Sequence, residues 1–279
     1  MTRSRDFMQV DVFTTTPYKG NPVAVVLDGA DLSDEQMQQV ASWTNLSETT
    51  FVFPPTAPGA DYRVRIFTTS SELPFAGHPT LGTAHAFMAF SGVARDSVVQ
   101  ECGAGLVPVR RSGAGLAFAA PPLVRSGPVD EDLVTEVLAV LGVERAEVLE
   151  AQWADNGPGW VAVKLRDAER VLAVRPGALG AVDYKVGVFG AYPAGSEFAY
   201  EVRAFCPANG ATMEDPVTGS LNASLAQWLV GTGQAPPSYV VSQGTALGRA
   251  GRVHIDQDEA GAIWVGGGTV ACVRGNIVI

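Results

Sequence analysis

The feature that most limits the fold of this chain is an internal repeat. Tyr62-Arg63-Val64-Arg65-Ile66-Phe67 returns as Tyr200-Glu201-Val202-Arg203-Ala204-Phe205, and Val23-Ala24-Val25 returns as Val161-Ala162-Val163, both 138 residues later. Two matches at one offset, close to half of a 279-residue chain, predict a duplicated unit. Single cores seldom grow much beyond about 250 residues, so the length asks for two cores as well. The expected division is residues 1–120 and residues 121–269, with a last strand over 270–279 crossing back to the first half.

Each half carries the same local sequence of events. An alternating segment, Asp61 to Phe67, leads through Glu72-Leu73-Pro74-Phe75-Ala76-Gly77-His78-Pro79-Thr80 into the small-residue apolar run Thr83 to Phe90. This reads as a strand, a tight glycine turn and a helix opening at Pro79. In the second half the turn Glu214-Asp215-Pro216-Val217-Thr218-Gly219-Ser220 precedes the run Leu221 to Val230. A helix head of this kind gathers backbone N–H groups and the positive end of the helix dipole, which suits a carboxylate or phosphate. The duplication predicts two such heads facing each other across a pseudo-twofold axis.

Other elements follow from shorter patterns. Gln9 to Phe13 and Pro22 to Leu27 form a hairpin around a turn with Pro17, Gly20 and Asn21. Ser33 and Gln36 make a capping box, with Asp34 and Glu35 in the first turn, for a helix running to about Trp43. Asn45 to Thr49 is its exit and Thr50 to Phe53 the next strand, so Glu48 lies at a helix-to-strand corner. Glu131 to Val143 is the matching helix of the second half. Further strands are expected at Gly103–Val109, Gly115–Phe118, Trp160–Leu165, Tyr184–Gly190, Phe198–Phe205, Arg252–Ile255, Ile263–Gly267 and Thr269–Ile279, with another ending at Tyr239-Val240-Val241-Ser242-Gln243-Gly244. Many short strands per helix predict an α+β chain in which each half wraps a curved sheet round one helix.

Composition and missing motifs narrow the function. Hydrophobic residues at 47% and charged ones at 17% describe a compact globular protein. A net charge of −10 and a pI near 4.8 argue against nucleic acid or an anionic membrane surface as partner. No apolar run reaches the roughly 18 residues of a membrane span, and Met1 to Phe13 lacks the apolar region of a signal peptide. Cys102, Cys206 and Cys272 form no CxxC pair, which predicts three buried thiols in a reduced, cytoplasmic setting. His78 and His85 do not have HxxxH or HExxH spacing, so no metal site is expected. Gly266-Gly267-Gly268 lacks the GxGxxG layout, and neither a GxxxxGK[ST] loop nor a GxSxG elbow is present.

What remains near the glycine turns is His78, Asp215, Ser220 and, if its corner packs inward, Glu48. These groups suit proton transfer on a substrate whose carboxylate is pinned by the helix heads. The plainer assignment makes His78 and Asp215 helix caps and Glu48 a solvated turn residue. Local pattern leaves both open.

Taken together, the Phe13–Pro22 turn with Gly20-Asn21-Pro22, Asn45 to Thr50, Glu72 to Thr80, Glu214 to Ser220 and Gln243-Gly244 resemble the PhzF phenazine-biosynthesis family over essentially the whole chain. The resemblance implies the diaminopimelate-epimerase-like fold, two similar barrel-like halves each enclosing a helix, and a homodimer that needs no cofactor. It also implies roles by position. Glu48 matches the acid/base carboxylate, His78 and Asp215 the substrate-contacting pair, and Ser47, Gly77, Gly219 and Ser220 the groups around the substrate and its carboxylate. Epimerases of that fold place a cysteine at each helix head, where this chain has Ala76-Gly77 and Asp215-Pro216, so racemisation by two thiols is excluded. One carboxylate that removes and returns a proton suits an allylic isomerisation, with its pKa lifted by burial.

The expected activity is therefore a proton and double-bond shift in a small cyclic unsaturated amino acid, similar to that of trans-2,3-dihydro-3-hydroxyanthranilate isomerase. Another secondary-metabolite precursor, such as a pyrroline carboxylate, is the competing substrate. A catalytically silent binding or scaffold protein is the reading from a different class, and it gives no reason for Glu48, His78 and Asp215 to be present together.

Overall fold

A computed structural model of the chain describes residues 3–92, 95–180, 182, 184–208 and 211–279. The chain divides into two compact units, residues 1–119 with 266–279 and residues 120–265. In the first unit the order is β1 (Ser4–Val12), β2 (Asn21–Val26), α1 (Asp34–Thr44), β3 (Glu48–Phe53), β4 (Tyr62–Phe67), β5 (Glu72–Leu73), α2 (Gly77–Ser91), β6 (Ser97–Cys102), β7 (Gly105–Ser112) and β8 (Gly115–Ala119). The second unit follows with β9 (Arg125–Pro128), α3 (Glu131–Leu141), β10 (Val148–Asp155), β11 (Trp160–Leu165), α4 (Ala168–Ala173), β12 (Lys185–Ala191), β13 (Tyr200–Ala208), β14 (Ala211–Asp215), α5 (Gly219–Gly231), β15 (Ser238–Gln243), β16 (Gly251–Gln257) and β17 (Ile263–Gly267). The chain then returns to the first unit as β18 (Thr269–Val278), antiparallel to β1.

The repeat seen in the sequence is a repeat of strand pairing. β2 runs parallel to β3 with Val23 opposite Glu48, and β11 runs parallel to β12 with Val161 opposite Val186, each partner shifted by the same 138 residues. β4 is antiparallel to β5 and parallel to β6, just as β13 is antiparallel to β14 and parallel to β15. An ion pair repeats with them. Arg65 donates from Nε and Nη2 to Glu72 at 2.7 and 2.6 Å, and Arg203 donates from the same atoms to Glu214 at 2.9 and 2.7 Å. Such two-pronged pairs fix a hairpin's geometry as well as its charge.

Each unit encloses one apolar helix of small residues. In α2, Gly77 to Ala84 are all buried, and in α5, Gly219 to Ala226 are all buried. A helix covered on every side has no polar face, and glycine sets how closely the sheet approaches. A Cβ on Gly82 of α2 would lie 2.2 Å from Val23 Cγ1 of β2. In the second unit the glycine is on the strand instead, and a Cβ on Gly187 of β12 would lie 2.5 Å from Leu221 Cδ1 of α5. Outside these helices lie secondary cores. Met37 and Ala41 of α1 pack with Val26, Phe51 and Phe67, and α3 buries Val134, Val137, Leu138 and Leu141 against β10, β11 and β12.

Several boundaries differ from the sequence reading. α2 opens at Gly77, two residues before Pro79, because proline is tolerated anywhere in the first turn, where no N–H is required. The expected strand Gly103–Val109 starts two residues later, as β7 at Gly105 with φ +102, and runs on to Ser112, while residues 103–104 turn the chain from β6, which ends at Cys102. The turn Glu214-Asp215 is the end of β14. The helix over Glu131 stops at Leu141, since Gly142 takes the left-handed conformation. Cys102, Cys206 and Cys272 are free thiols, each half-buried where full burial was expected. Among the described residues no helix is long and apolar enough to cross a membrane.

Candidate active site

In the first unit the structure brings Glu48 and His78 together. Glu48 is the first residue of β3, placed there by the exit of α1 through Asn45 in a left-handed conformation, φ 54. His78 is the second residue of α2 and 4% exposed. Their side chains meet at 3.3 Å, His78 Nε2 to Glu48 Oε2. On the other side of the ring Asn21, the first residue of β2 and fully buried, brings its Nδ2 to 3.2 Å from His78 Nδ1.

The turn before Asn21 is built for this placement. Gly20 gives its N–H to Asp11 Oδ2 at 3.0 Å, and a Cβ there would lie 2.1 Å from the Val12 carbonyl oxygen, so only glycine fits. Phe13 and Tyr18 hold left-handed backbones, φ 63 and 68, on the way into the turn; such conformations in bulky residues recur near functional sites. Burial drives the His78 pKa down to about 3, with the Pro22 carbonyl pulling weakly the other way. His78 is therefore a neutral imidazole at ordinary pH. Its contact with Glu48 is one between a carboxyl group and a neutral ring, not an ion pair.

The second unit holds Asp215, Gly219 and Ser220. Asp215 ends β14, and its Oδ2 accepts a hydrogen bond of 2.6 Å from Thr218 Oγ1. Gln243, at the end of β15 and fully buried, organises the rest. Its Oε1 accepts from the Thr218 N–H at 3.0 Å and from Asn222 Nδ2 at 2.8 Å, while its Nε2 donates to Thr218 Oγ1 at 2.9 Å and to the Asp215 carbonyl at 3.3 Å. Gly244 follows with φ +88, and a Cβ on it would lie 2.6 Å from the Pro216 carbonyl oxygen. Ser220 Oγ accepts from Trp160 Nε1 at 3.0 Å. A hydroxyl that already accepts from an indole keeps its own proton to give. Ser47, partly buried, stands one residue before β3.

The two buried helix heads differ from those of α1 and α3. α1 and α3 carry acidic residues in their first turns, Asp34 and Glu35 in one and Glu131 and Asp132 in the other. α2 and α5 carry none, and neither of their N-cap residues, Ala76 and Thr218, makes a side-chain cap. Helix heads with no acidic residue of their own in the first turn suit an anionic group from outside the chain. The capping role open to His78 is not what its side chain does, since the ring points to Asn21 and Glu48.

The two halves differ at the place of Glu48. The position matching Glu48 in the second unit is Val186, fully buried in the apolar core. One half thus holds an ionisable oxygen at this place in the fold and the other cannot. Asn21 and Gln243 enter the sequence reading only within motifs, with no role of their own. Each is a buried amide at the end of an otherwise apolar strand, which is a signal visible in sequence. Among the described residues no group of three or more His, Cys, Asp or Glu side chains gathers in a way that could hold a metal ion.

Two helix-enclosing sheets define an α+β fold of PhzF-like type, and relatives that share it are named isomerases. The model of the phenazine biosynthesis-like protein family, PhzC-PhzF, matches residues 10–275, and the chain belongs to that family. It is 35% identical over 277 residues to trans-2,3-dihydro-3-hydroxyanthranilate isomerase of Pseudomonas aeruginosa, covering 96% of this chain and 98% of the relative. It is also 36% identical over 297 residues to "Antisense-enhancing sequence 1" of Schizosaccharomyces pombe, covering 98% of both. Among solved structures, a PhzF-family protein of Enterococcus faecalis matches with a TM-score of 0.81 at 26% identity, over 99% of this chain and 100% of the other.

Proposed function

We propose that this protein is a cofactor-independent isomerase that moves a proton, and with it a double bond, in a small cyclic unsaturated amino acid. The observation that carries the reading is the 3.3 Å approach of Glu48 to a neutral, buried His78 at the head of a helix whose own first turn carries no acidic residue. In the proposed reaction the Glu48 carboxylate takes a proton from a ring carbon, the π electrons shift along the conjugated system, and the carboxylic acid so formed returns the proton at the far carbon of that system. Nothing is oxidised or reduced. The neutral His78 is proposed to supply a hydrogen bond to the substrate's polar substituent, and it can do so without exchanging charge.

Gly77 of α2 offers a backbone N–H for the substrate carboxylate in this scheme. Asp215, Gly219 and Ser220 are proposed as further substrate contacts, with Ser220 as a hydroxyl donor and Asp215 as an acceptor for an amino group. Ser47 is proposed to line the substrate's approach to Glu48. The proposed assembly is a homodimer, with no nucleic acid or membrane partner.

The substrate named for the Pseudomonas aeruginosa relative, trans-2,3-dihydro-3-hydroxyanthranilate, is the first candidate. A pyrroline carboxylate is the second. The test is proton NMR in deuterium oxide with purified protein and each compound. Deuterium entering a ring carbon together with a new double-bond position supports the proposal. No incorporation in any cyclic unsaturated amino acid, with tight binding of one, would favour the silent binding protein.

A further inference from the structure

We infer that Asn21 is a positioning residue that fixes the tautomer of His78, so that the ring proton sits on Nε2 and faces Glu48. The inference deepens the proposed function and rests on its assignment of Glu48 and His78. Its basis is a row of contacts at the ends of two neighbouring strands: Asn21 Nδ2 lies 3.2 Å from His78 Nδ1, and His78 Nε2 approaches Glu48 Oε2 to 3.3 Å, outside hydrogen-bond geometry. A neutral imidazole carries one N–H and one lone pair. An amide NH2 can only donate, so the nitrogen facing it must present the lone pair and the proton must lie on the other nitrogen. The ring is neutral because burial drives its pKa to about 3, so the choice of tautomer, not of charge, decides what Glu48 meets.

The molecule contains the opposite arrangement as a competitor. The Pro22 carbonyl, the next residue along β2, also lies against the ring and favours a proton on the nitrogen it faces. If that carbonyl held an Nδ1 proton, Nε2 would present a lone pair to Glu48 and the site could keep only a protonated Glu48 in contact with it. Asn21 decides between the two states. It can do so because its backbone is pinned in β2 opposite Val12, its side chain is fully buried, and the preceding Gly20 has no room for a side chain. With the proton on Nε2, the imidazole places an N–H, and not a lone pair, beside the carboxylate that is to act as base. That leaves Glu48 free to stay ionised next to the ring.

A histidine-orienting side chain exchanged between amide and carboxylate keeps its shape and reverses its hydrogen-bond demand. In a serine protease triad such an exchange costs about 10⁴-fold in kcat through the wrong tautomer. Asn21→Asp is the corresponding change here, and we expect kcat to fall by about 10²- to 10⁴-fold with KM little changed. The readout that a structural role would not move is the tautomer itself. Nitrogen-15 NMR of protein labelled at histidine, with the His78 signal assigned by its loss in His78→Gln, should show Nε2 protonated and Nδ1 bare in the unaltered protein. In Asn21→Asp the proton should move to Nδ1. A protonated Nδ1 in the unaltered protein would overturn the inference, as would an Asn21→Asp variant that keeps its proton on Nε2. If Asn21→Asp does not fold, a scalar coupling between the Asn21 amide and His78 Nδ1 in the unaltered protein decides the matter, its absence counting against. A tautomer that shifts as expected while isomerase activity stays unchanged would leave the ring assignment standing and remove His78 from the reaction.

Discussion

Acidification should destabilise this protein through His78, and replacing that one side chain should remove a defined part of the effect. The folded ring resists its proton down to a pKa of about 3 because it is buried beside Asn21, whereas an unfolded histidine takes one up near pH 6.5. Between those values the unfolded chain binds a proton that the folded chain refuses. The neutral ring's contribution is therefore complete above about pH 6.5 and is lost progressively as the pH falls toward 3. Relative to pH 7, the loss comes to about 2 kcal/mol at pH 5 and about 3 kcal/mol at pH 4.

His78→Gln keeps a hydrogen-bonding side chain at the site and has nothing to titrate in this range. The assay is urea unfolding of both proteins at matched pH from 7 to 4, so that carboxylates common to both cancel. The variant loses packing and starts lower at pH 7, but its stability should fall less steeply, and the two curves should converge by about 2 kcal/mol at pH 5. Parallel curves would mean that the ring takes up its proton as readily folded as unfolded, and the neutral imidazole at the heart of the site would be wrong.

Other consequences follow from the duplicated ion pair and from the buried glutamine. Arg203 is 4% exposed and Arg65 25% at their side chains, so Arg203→Ala should cost about 3–5 kcal/mol by leaving Glu214 unpaired inside the unit, whereas Arg65→Ala should cost about 1 kcal/mol or less; equal losses in thermal unfolding would refute the contrast. Gln243→Leu strips the acceptor from the Thr218 N–H and the Asn222 amide, and at about 1–3 kcal/mol for each stranded group it should lower the melting temperature while raising KM more than it lowers kcat, because Asp215 loses its support through Thr218. An unchanged KM in that variant would separate Asp215 from substrate binding.

Much of this architecture was legible from the chain because duplication leaves its mark twice. The 138-residue offset located β2, β4, β11 and β13, and the Ser33-Gln36 box located α1, whose reciprocal bonds are both formed. The elements that pattern reasoning did not find are those whose stability comes from neighbours. β9 contains Gly127 at φ +95 and Pro128, and is a strand only because β10 pairs with it residue by residue. β10 itself, with Glu150 and Gln152 between apolar positions, alternates too weakly to read. α4 is six residues long, and β5 has two. In the site, His78 stood out by its glycine turn and Glu48 only on condition that its corner packs inward, and their roles came from the resemblance, since nothing local places a turn glutamate 3.3 Å from a helix-head histidine 30 residues away. That proximity is a product of β3 and α2 packing together, a tertiary fact. Asn21 and Gln243 lay in plain view as buried amides at strand ends, but their hydrogen-bond partners are far along the chain.

The central claim is that Glu48 is the group that carries the proton, and Glu48→Gln tests it with the least disturbance. The amide keeps the size of the side chain and its place on β3 but cannot take up and return a proton. Single-turnover NMR in deuterium oxide, with a substrate that the unaltered protein isomerises, should show ring deuteration and double-bond movement slowed by about 10³-fold or more in kcat, with thermal unfolding and ligand binding close to those of the unaltered protein. Isomerisation by a folded Glu48→Gln variant at a near-normal rate would contradict the account.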